Sequence, residues 1–143
     1  MVRVIDLVKI LLSQKGDRYK FGVDVSSLDS DPDAFDCSEL IKWGCARLSI
    51  TPTMPDGSWN QYQHCYSKAP TISVERGLIQ AGALLFIFQG SPFGTVRPDQ
   101  AHVAMSLGNG MTIEARSEKW GVGVFTVDKR GWTHAGLIPG LAY

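Results

Sequence analysis

Residues 101–117 read AHVAMSLGNGMTIEARS, two runs of alternating apolar and polar residues on either side of Gly108-Asn109-Gly110. A period of two broken by Gly-Asn-Gly marks a β-hairpin, because glycine and asparagine accept the positive φ of a tight turn. The alternation also assigns faces. His102, Ala104 and Ser106 share one face of the first strand, and Val103, Met105 and Leu107 the other. On the second strand Thr112, Glu114 and Arg116 share a face, with Met111, Ile113 and Ala115 opposite. Building a core aligns the apolar faces and therefore the polar faces too. His102 and Glu114 are thus expected on the same side of neighbouring strands.

More strands surround this hairpin. ALLFIF (83–88) is a short apolar run followed by the polar loop GSPFGTVRPDQ (90–100), and VGVFTV (122–127) and AGLIPG (135–140) read as further strands between turns. The first half of the chain has a helical period instead. Val4, Ile5, Val8, Leu11 and Leu12 recur at helical spacing around Asp6 and Lys9, predicting an amphipathic core helix that ends near Gly16. In DCSELIKWGCARL (36–48), Leu40, Ile41, Gly44, Cys45 and Leu48 form one stripe behind Asp36, a good N-cap. Helices first and an antiparallel sheet second predict an α+β fold, and 143 residues fit one domain, 1–143. Between the helices, Gly22–Phe35 is an acidic loop. Its alternating Asp29, Asp31 and Asp33 lack the glycine and final glutamate of a calcium loop and read as a solvated turn. Thr51–Ala69, rich in Pro, Gly, Asn and Gln, reads as a surface segment, an ordered loop or short helix.

Fourteen Lys+Arg balance fourteen Asp+Glu, without the basic excess of a general nucleic-acid binder. The N-terminal stretch is too short and too charged to span a membrane and is followed by no small-residue cleavage site, so no export signal is expected. The three cysteines, Cys37, Cys45 and Cys65, cannot all pair within one chain, and no Cys-x-x-Cys supports a zinc site. Cys45, inside the apolar stripe, reads as packing. Cys65 beside His64 begins no periodic helix, and His64 and His134 sit in turn-like contexts that read as surface or structural.

Cys37 is open to a second reading. A cysteine in the first turn of a helix meets the positive end of the helix dipole and free backbone N–H groups, and both favour thiolate, the nucleophilic form. An imidazole beside it would take and return protons, and a carboxylate behind that imidazole would fix its orientation. Cys37, His102 and Glu114 supply those three parts. Read alone, Cys37 fits packing as well as catalysis, and Glu114 fits an ordinary solvated strand position.

The order of motifs resembles the NlpC family of cell-wall cysteine peptidases, a papain-like group. The matching segments are Tyr19–Gly22, Phe35–Ile41, Gly82–Phe88, Ala101–Ala104 and Gly108–Gly110, in order across nearly the whole chain. The resemblance implies a papain-like α+β fold with the cysteine helix packed on a small antiparallel sheet. It implies Cys37 as nucleophile, His102 as general base and Glu114 as the residue orienting His102. Tyr19 would lie beside the nucleophile, and Asp36 and Ser38 would bind the free amine of a substrate peptide. The implied partner is bacterial peptidoglycan, cut at an amide of its peptide stem, or alternatively at the sugar–peptide junction; an inactive wall-binding or virion module is a further alternative. No metal or organic cofactor is implied, and the chain is expected to be a monomer or a domain of a larger lysin.

The chain departs from the family pattern at Glu39, which replaces glycine after Cys-Ser and could repel thiolate, point to solvent or contact substrate. Ala83 replaces aspartate, Ala101 replaces serine, and Glu114 stands where many members have histidine. The Asp-Cys-Ser-Glu-Leu variant and the tail from Trp132 to Leu141 resemble phage-encoded lysins, which would reach the wall through a holin or a virion. The loops at 24–34 and 51–69, the longest in the chain, are expected to set specificity.

Overall fold

A computed structural model describes all residues from Met1 to Tyr143. Its centre is a five-stranded antiparallel sheet in the order β7 (Val122–Thr126), β6 (Met111–Ala115), β5 (Asp99–Ser106), β4 (Leu84–Gln89) and β8 (His134–Gly136). The hairpin forms as its alternation requires: Met105 pairs with Ile113 and Ser106 with Thr112. Gly108 in its turn has φ +79°, and a side chain there would come within 2.8 Å of the Ala81 backbone nitrogen, so glycine is needed for both reasons. Both faces of this hairpin are buried, Val103, Met105 and Ile113 on one and Ala104, Ser106, Thr112 and Glu114 on the other. Glu114 is therefore not a solvated strand residue.

Helix α1 (Val4–Leu12) buries Leu7, Val8 and Leu11. It stops four residues before Gly16, because the Ser13 hydroxyl bonds back to the Ile10 carbonyl at 2.6 Å and the chain continues as turns. Helix α2 (Cys37–Arg47) lies across β5 and β6 and buries Leu40, Ile41, Trp43 and Cys45 into the same core as Leu7, Leu11, Phe35, Met105 and Ile113.

The segment expected at the surface instead holds a full helix, α3 (Ser58–Lys68), which packs on β8, β4 and β5. Its inward face carries Ser58, Gln61, Tyr62, His64 and Cys65, a mixture too polar to announce itself as an apolar stripe. Tyr62 completes an aromatic cluster with Phe86 and Phe88, ring centroids 5.3 and 5.9 Å away. His64 and Cys65 thus sit in a packed helix, and His134 lies on the edge strand β8 with its ring 4.8 Å from Tyr62. A further short helix, α4 (Val74–Ile79), is capped by the Ser73 hydroxyl.

Two short parallel pairs finish the fold. β2 (Arg18–Tyr19) pairs with β3 (Ala34–Phe35), closing the ends of the acidic loop, and β1 (Val2–Arg3) pairs with β9 (Leu141–Ala142). The Tyr143 hydroxyl adds to the second closure, donating to the Gly82 carbonyl and accepting from the Ile138 N–H, both at 2.8 Å.

Where α3 meets the sheet, a methyl on Gly136 would come 2.7 Å from the Cys65 Cβ. Gly136→Ala should lower stability by about 1–3 kcal/mol, read as a drop in the denaturation midpoint. Unchanged stability would mean that α3 is less firmly seated than the packing requires.

Candidate active site

The site begins with the start of α2. Asp36 Oδ1 accepts from the Glu39 N–H at 2.9 Å and from the Ser38 hydroxyl at 3.2 Å, and Oδ2 accepts from the Gly22 N–H at 3.2 Å. The Leu40 N–H is taken by the Asp36 carbonyl. By helix geometry this leaves the N–H groups of Cys37 and Ser38 without intrahelical partners, pointing out of the helix end beside the thiol. From behind, Gln61 of α3 donates to the Ser38 carbonyl at 2.9 Å and the Pro55 carbonyl at 3.0 Å, fully buried. Gln61 is a support that the sequence pattern did not single out.

Strands β5 and β6 bring the other two groups. His102 Nε2 lies 3.0 Å from Glu114 Oε1, which leaves Nδ1 as the nitrogen free to serve the thiol. Burial alone would lower the His102 pKa, but hydrogen bonding to Cys37 and to Glu114 outweighs it and lifts the ring to about 9. Glu114 is fully buried, which alone would raise its pKa. Contacts from His102, Arg130 and Thr112 outweigh that burial and hold it at about 2. Arg130 grips both carboxylate oxygens, Thr112 donates to Oε2, and the Arg130 guanidinium lies 4.9 Å above the Trp132 ring. Trp132 in turn runs nearly parallel to His102, centroids 6.4 Å apart. Arg130 and Trp132 fall in a turn after β7, and no spacing in the sequence marks them.

Tyr19, Asp36, Cys37, Ser38 and Glu39, the remaining expected site residues, line one cavity of about 350 Å³ with Asp24, Asp56, Trp59 and Arg97. Tyr19 is placed by its β2–β3 pairing opposite Phe35, two residues before Cys37. Burial, with smaller effects from Cys37 and Asp36, pushes its phenol up to about 12, so it remains a protonated donor. Glu39 does not point to solvent. It is buried, its Oε2 accepts from the Val25 N–H at 3.1 Å, and Lys42 stands 3.9 Å from Oε1. Burial, and next the neighbouring Asp56, raise its carboxyl to about 7. Glu39 thus anchors the acidic loop to the first turn of α2. His102 lines a second cavity of about 500 Å³, which shares Tyr19, Arg97 and Ala101 with the first. The other two thiols lie elsewhere: burial pushes Cys45 and Cys65 up to about 12, where neither is a nucleophile at neutral pH.

Comparison with known proteins fits this geometry. The family described as the NlpC/P60 family matches residues 16–138. Among solved structures, the P60 domain of an antigen from M. avium subspecies paratuberculosis is 28% identical with a TM-score of 0.72, over 98% of this chain and 96% of that one. The NlpC/p60 domain of the peptidoglycan hydrolase SagA is 29% identical with a TM-score of 0.69, over 96% of this chain and 100% of that one. The peptidoglycan hydrolase RipB from Mycobacterium tuberculosis is 26% identical with a TM-score of 0.71, over 98% of this chain but 65% of that one. No curated protein matches the chain.

The His102–Glu114 couple gives stability a defined pH window. The His102 pKa rises from 6.5 to about 9, so its contribution is complete below 6.5 and is lost as pH rises through 9. The Glu114 pKa falls from 4.5 to about 2, so its contribution is present above 4.5 and is lost as pH falls toward 2. Melting temperature against pH should therefore show this couple contributing fully between 4.5 and 6.5. Cys37→Ala removes one of the partners that raise His102, so the imidazole NMR titration should move to lower pH; an unmoved titration would contradict the contact. Arg130→Met removes the guanidinium from the buried Glu114 carboxylate, leaving His102 as its one cationic partner, and should cost about 3 kcal/mol, measured by chemical denaturation.

Proposed function

This chain belongs to the NlpC/P60 family, and we propose that it is a peptidoglycan hydrolase that cuts an amide bond of the wall's stem peptide with Cys37 as nucleophile. The observation that carries the reading is His102, held on Nε2 by a buried, charge-compensated carboxylate, with Cys37 among the groups that raise its pKa. Two of the structural relatives are themselves described as peptidoglycan hydrolases.

The steps follow from the role each group takes in this reading. The neutral form of His102 takes the proton from Cys37 Sγ, giving a thiolate and an imidazolium, and Glu114 favours the imidazolium. The thiolate attacks the amide carbonyl carbon, forming a C–S bond as the carbonyl π-electrons move to oxygen. That oxyanion falls where the Cys37 and Ser38 N–H groups emerge, with the Tyr19 phenol as a further donor. Collapse breaks the C–N bond, and the imidazolium gives its proton to the departing nitrogen. Water then attacks the thioester while His102 takes its proton, and the acid leaves as Cys37 regains its thiol. In this reading Asp36 and Ser38 chiefly shape the helix start and present the acidic wall of the Cys37 cavity to a substrate amine.

The phage setting is part of the proposal and rests on the Asp-Cys-Ser-Glu-Leu variant and the 132–141 tail. Lysis of cells only when a pore-forming partner is co-expressed would support it.

Defined peptidoglycan is the test substrate. Cys37→Ala and His102→Ala should each lower the rate by about 10³-fold or more, and Glu114→Gln by about 10- to 10⁴-fold. The masses of the soluble products should show cleaved stem peptides; intact peptides released from bare glycan would instead assign the sugar–peptide junction. A Cys37→Ala protein that clears a wall suspension at the wild-type rate would overturn the proposal.

A further inference from the structure

One face of α2 holds the acidic loop against the helix. Asp36, Glu39, Trp43 and Arg47 follow one another at spacings of three, four and four residues, which sets them in a row. Asp36 takes the Gly22 N–H and Glu39 the Val25 N–H, while Trp43 and Arg47 donate to the Asp29 and Ser27 carbonyls at 2.8 and 3.1 Å. Of the four, Glu39 also faces the segment that leads into α3. Lys42 Nζ lies 2.7 Å from Asp56 Oδ1 and 3.9 Å from Glu39 Oε1, and Asp56 is within hydrogen-bond reach of the Glu39 carboxyl.

These two segments are walls of the Cys37 cavity. Gly22, Val23 and Asp24 come from the acidic loop, and Asp56, Gly57 and Trp59 from the entry to α3. Glu39, buried two residues beyond Cys37, lines the same cavity. The acyl carbon of a substrate must meet Cys37, so the acyl side lies between these walls. We infer that Glu39 is a positioning residue, a tie that holds both walls in register for the acyl side of the substrate and that depends on a proton shared with Asp56. The inference rests on the hydrolytic reading and deepens it.

The groups around Glu39 give the tie its sign. Lys42 is the nearest cation, and Arg97 stands on the lining of the cavity. Asp36 caps the same turn, Asp24 acts on Lys42 from the acidic loop, and Asp56 faces Glu39 from the segment before α3. One ammonium does not neutralise two adjacent carboxylates. A protonated Glu39 donates to Asp56 while its other oxygen keeps the Val25 N–H, and both walls are held. An ionised Glu39 repels Asp56, whose side chain is 71% exposed and turns to water. Burial, and next Asp56, raise the Glu39 carboxyl to about 7, so the tie is made below 7 and released above it.

The test measures binding of a synthetic stem peptide to Cys37→Ala protein by calorimetry at about pH 6 and about pH 8. Kd should be about fivefold or more tighter at the lower pH. Adding Glu39→Gln, which keeps an acceptor for Val25 and a permanent donor for Asp56, should give tight binding at both. Asp56→Asn, which removes the repulsion from the other side, should be equally flat, and Glu39→Gly should bind weakly at both. The titration of His102 is common to all these proteins and cancels in the comparison. In the cleaving enzyme the loss of kcat/KM on Glu39→Gly should be carried by KM. If Glu39→Gly folds poorly, Glu39→Gln and Asp56→Asn still decide the question. A Kd that does not change with pH, or a dependence that survives Glu39→Gln undiminished, would overturn the tie while leaving hydrolysis standing. Absence of Cys37-dependent cleavage of the peptide, with walls also untouched, would overturn the hydrolytic reading and the tie with it.

Discussion

A carboxylate sealed inside protein is tolerated only when its charge is answered, and Glu114 is answered three times. His102, Arg130 and Thr112 each spend a hydrogen-bond donor on it, from three stretches of chain. The arrangement fixes the rotation of the His102 ring, decides which nitrogen faces the thiol, and favours the charged ring. It also ties the turn after β7 to the centre of the sheet through Arg130 and Trp132. Because uncompensated burial of such an ion is so unfavourable, the ring cannot drift without stranding the carboxylate. Orientation of the imidazole and integrity of the sheet are therefore one constraint.

Cys37 is placed by a different constraint, that of the helix end. Asp36 satisfies the helix it caps and, through its other oxygen, draws in Gly22; Glu39 draws in Val25. The acidic loop is thus pinned to the first turn of α2 at two points. A glycine at position 39 could offer no such pin. The Glu39 carboxylate is engaged by the Val25 N–H, with Lys42 and Asp56 beside it.

Much of this was readable in one dimension because period and capping are local. The face shared by His102 and Glu114 follows from alternation and a Gly-Asn-Gly turn, and the start of α2 follows from Asp36. What stayed hidden depends on contacts distant in sequence. Helix α3 buries Gln61, His64 and Cys65 against a sheet not yet formed in the chain's first half, so its pattern looked like surface. Arg130 reaches Glu114 across sixteen residues from a turn with no periodicity. The end of α1 was missed for a smaller reason, a serine hydroxyl that closes the helix before the glycine is reached.

The parallel pairing of β1 with β9 has a mechanical meaning. Val2 lies beside Leu141 and Arg3 beside Ala142, so the two ends of the chain run in the same direction. Tension applied at both ends would pull these strands along their length in opposite senses, loading their hydrogen bonds together in shear. An antiparallel closure would have opened like a zipper, one bond at a time. The Tyr143 hydroxyl, anchored to Gly82 and Ile138, carries part of the same load. A domain tethered at both ends would thus meet force with its strongest geometry, well away from the candidate cleft.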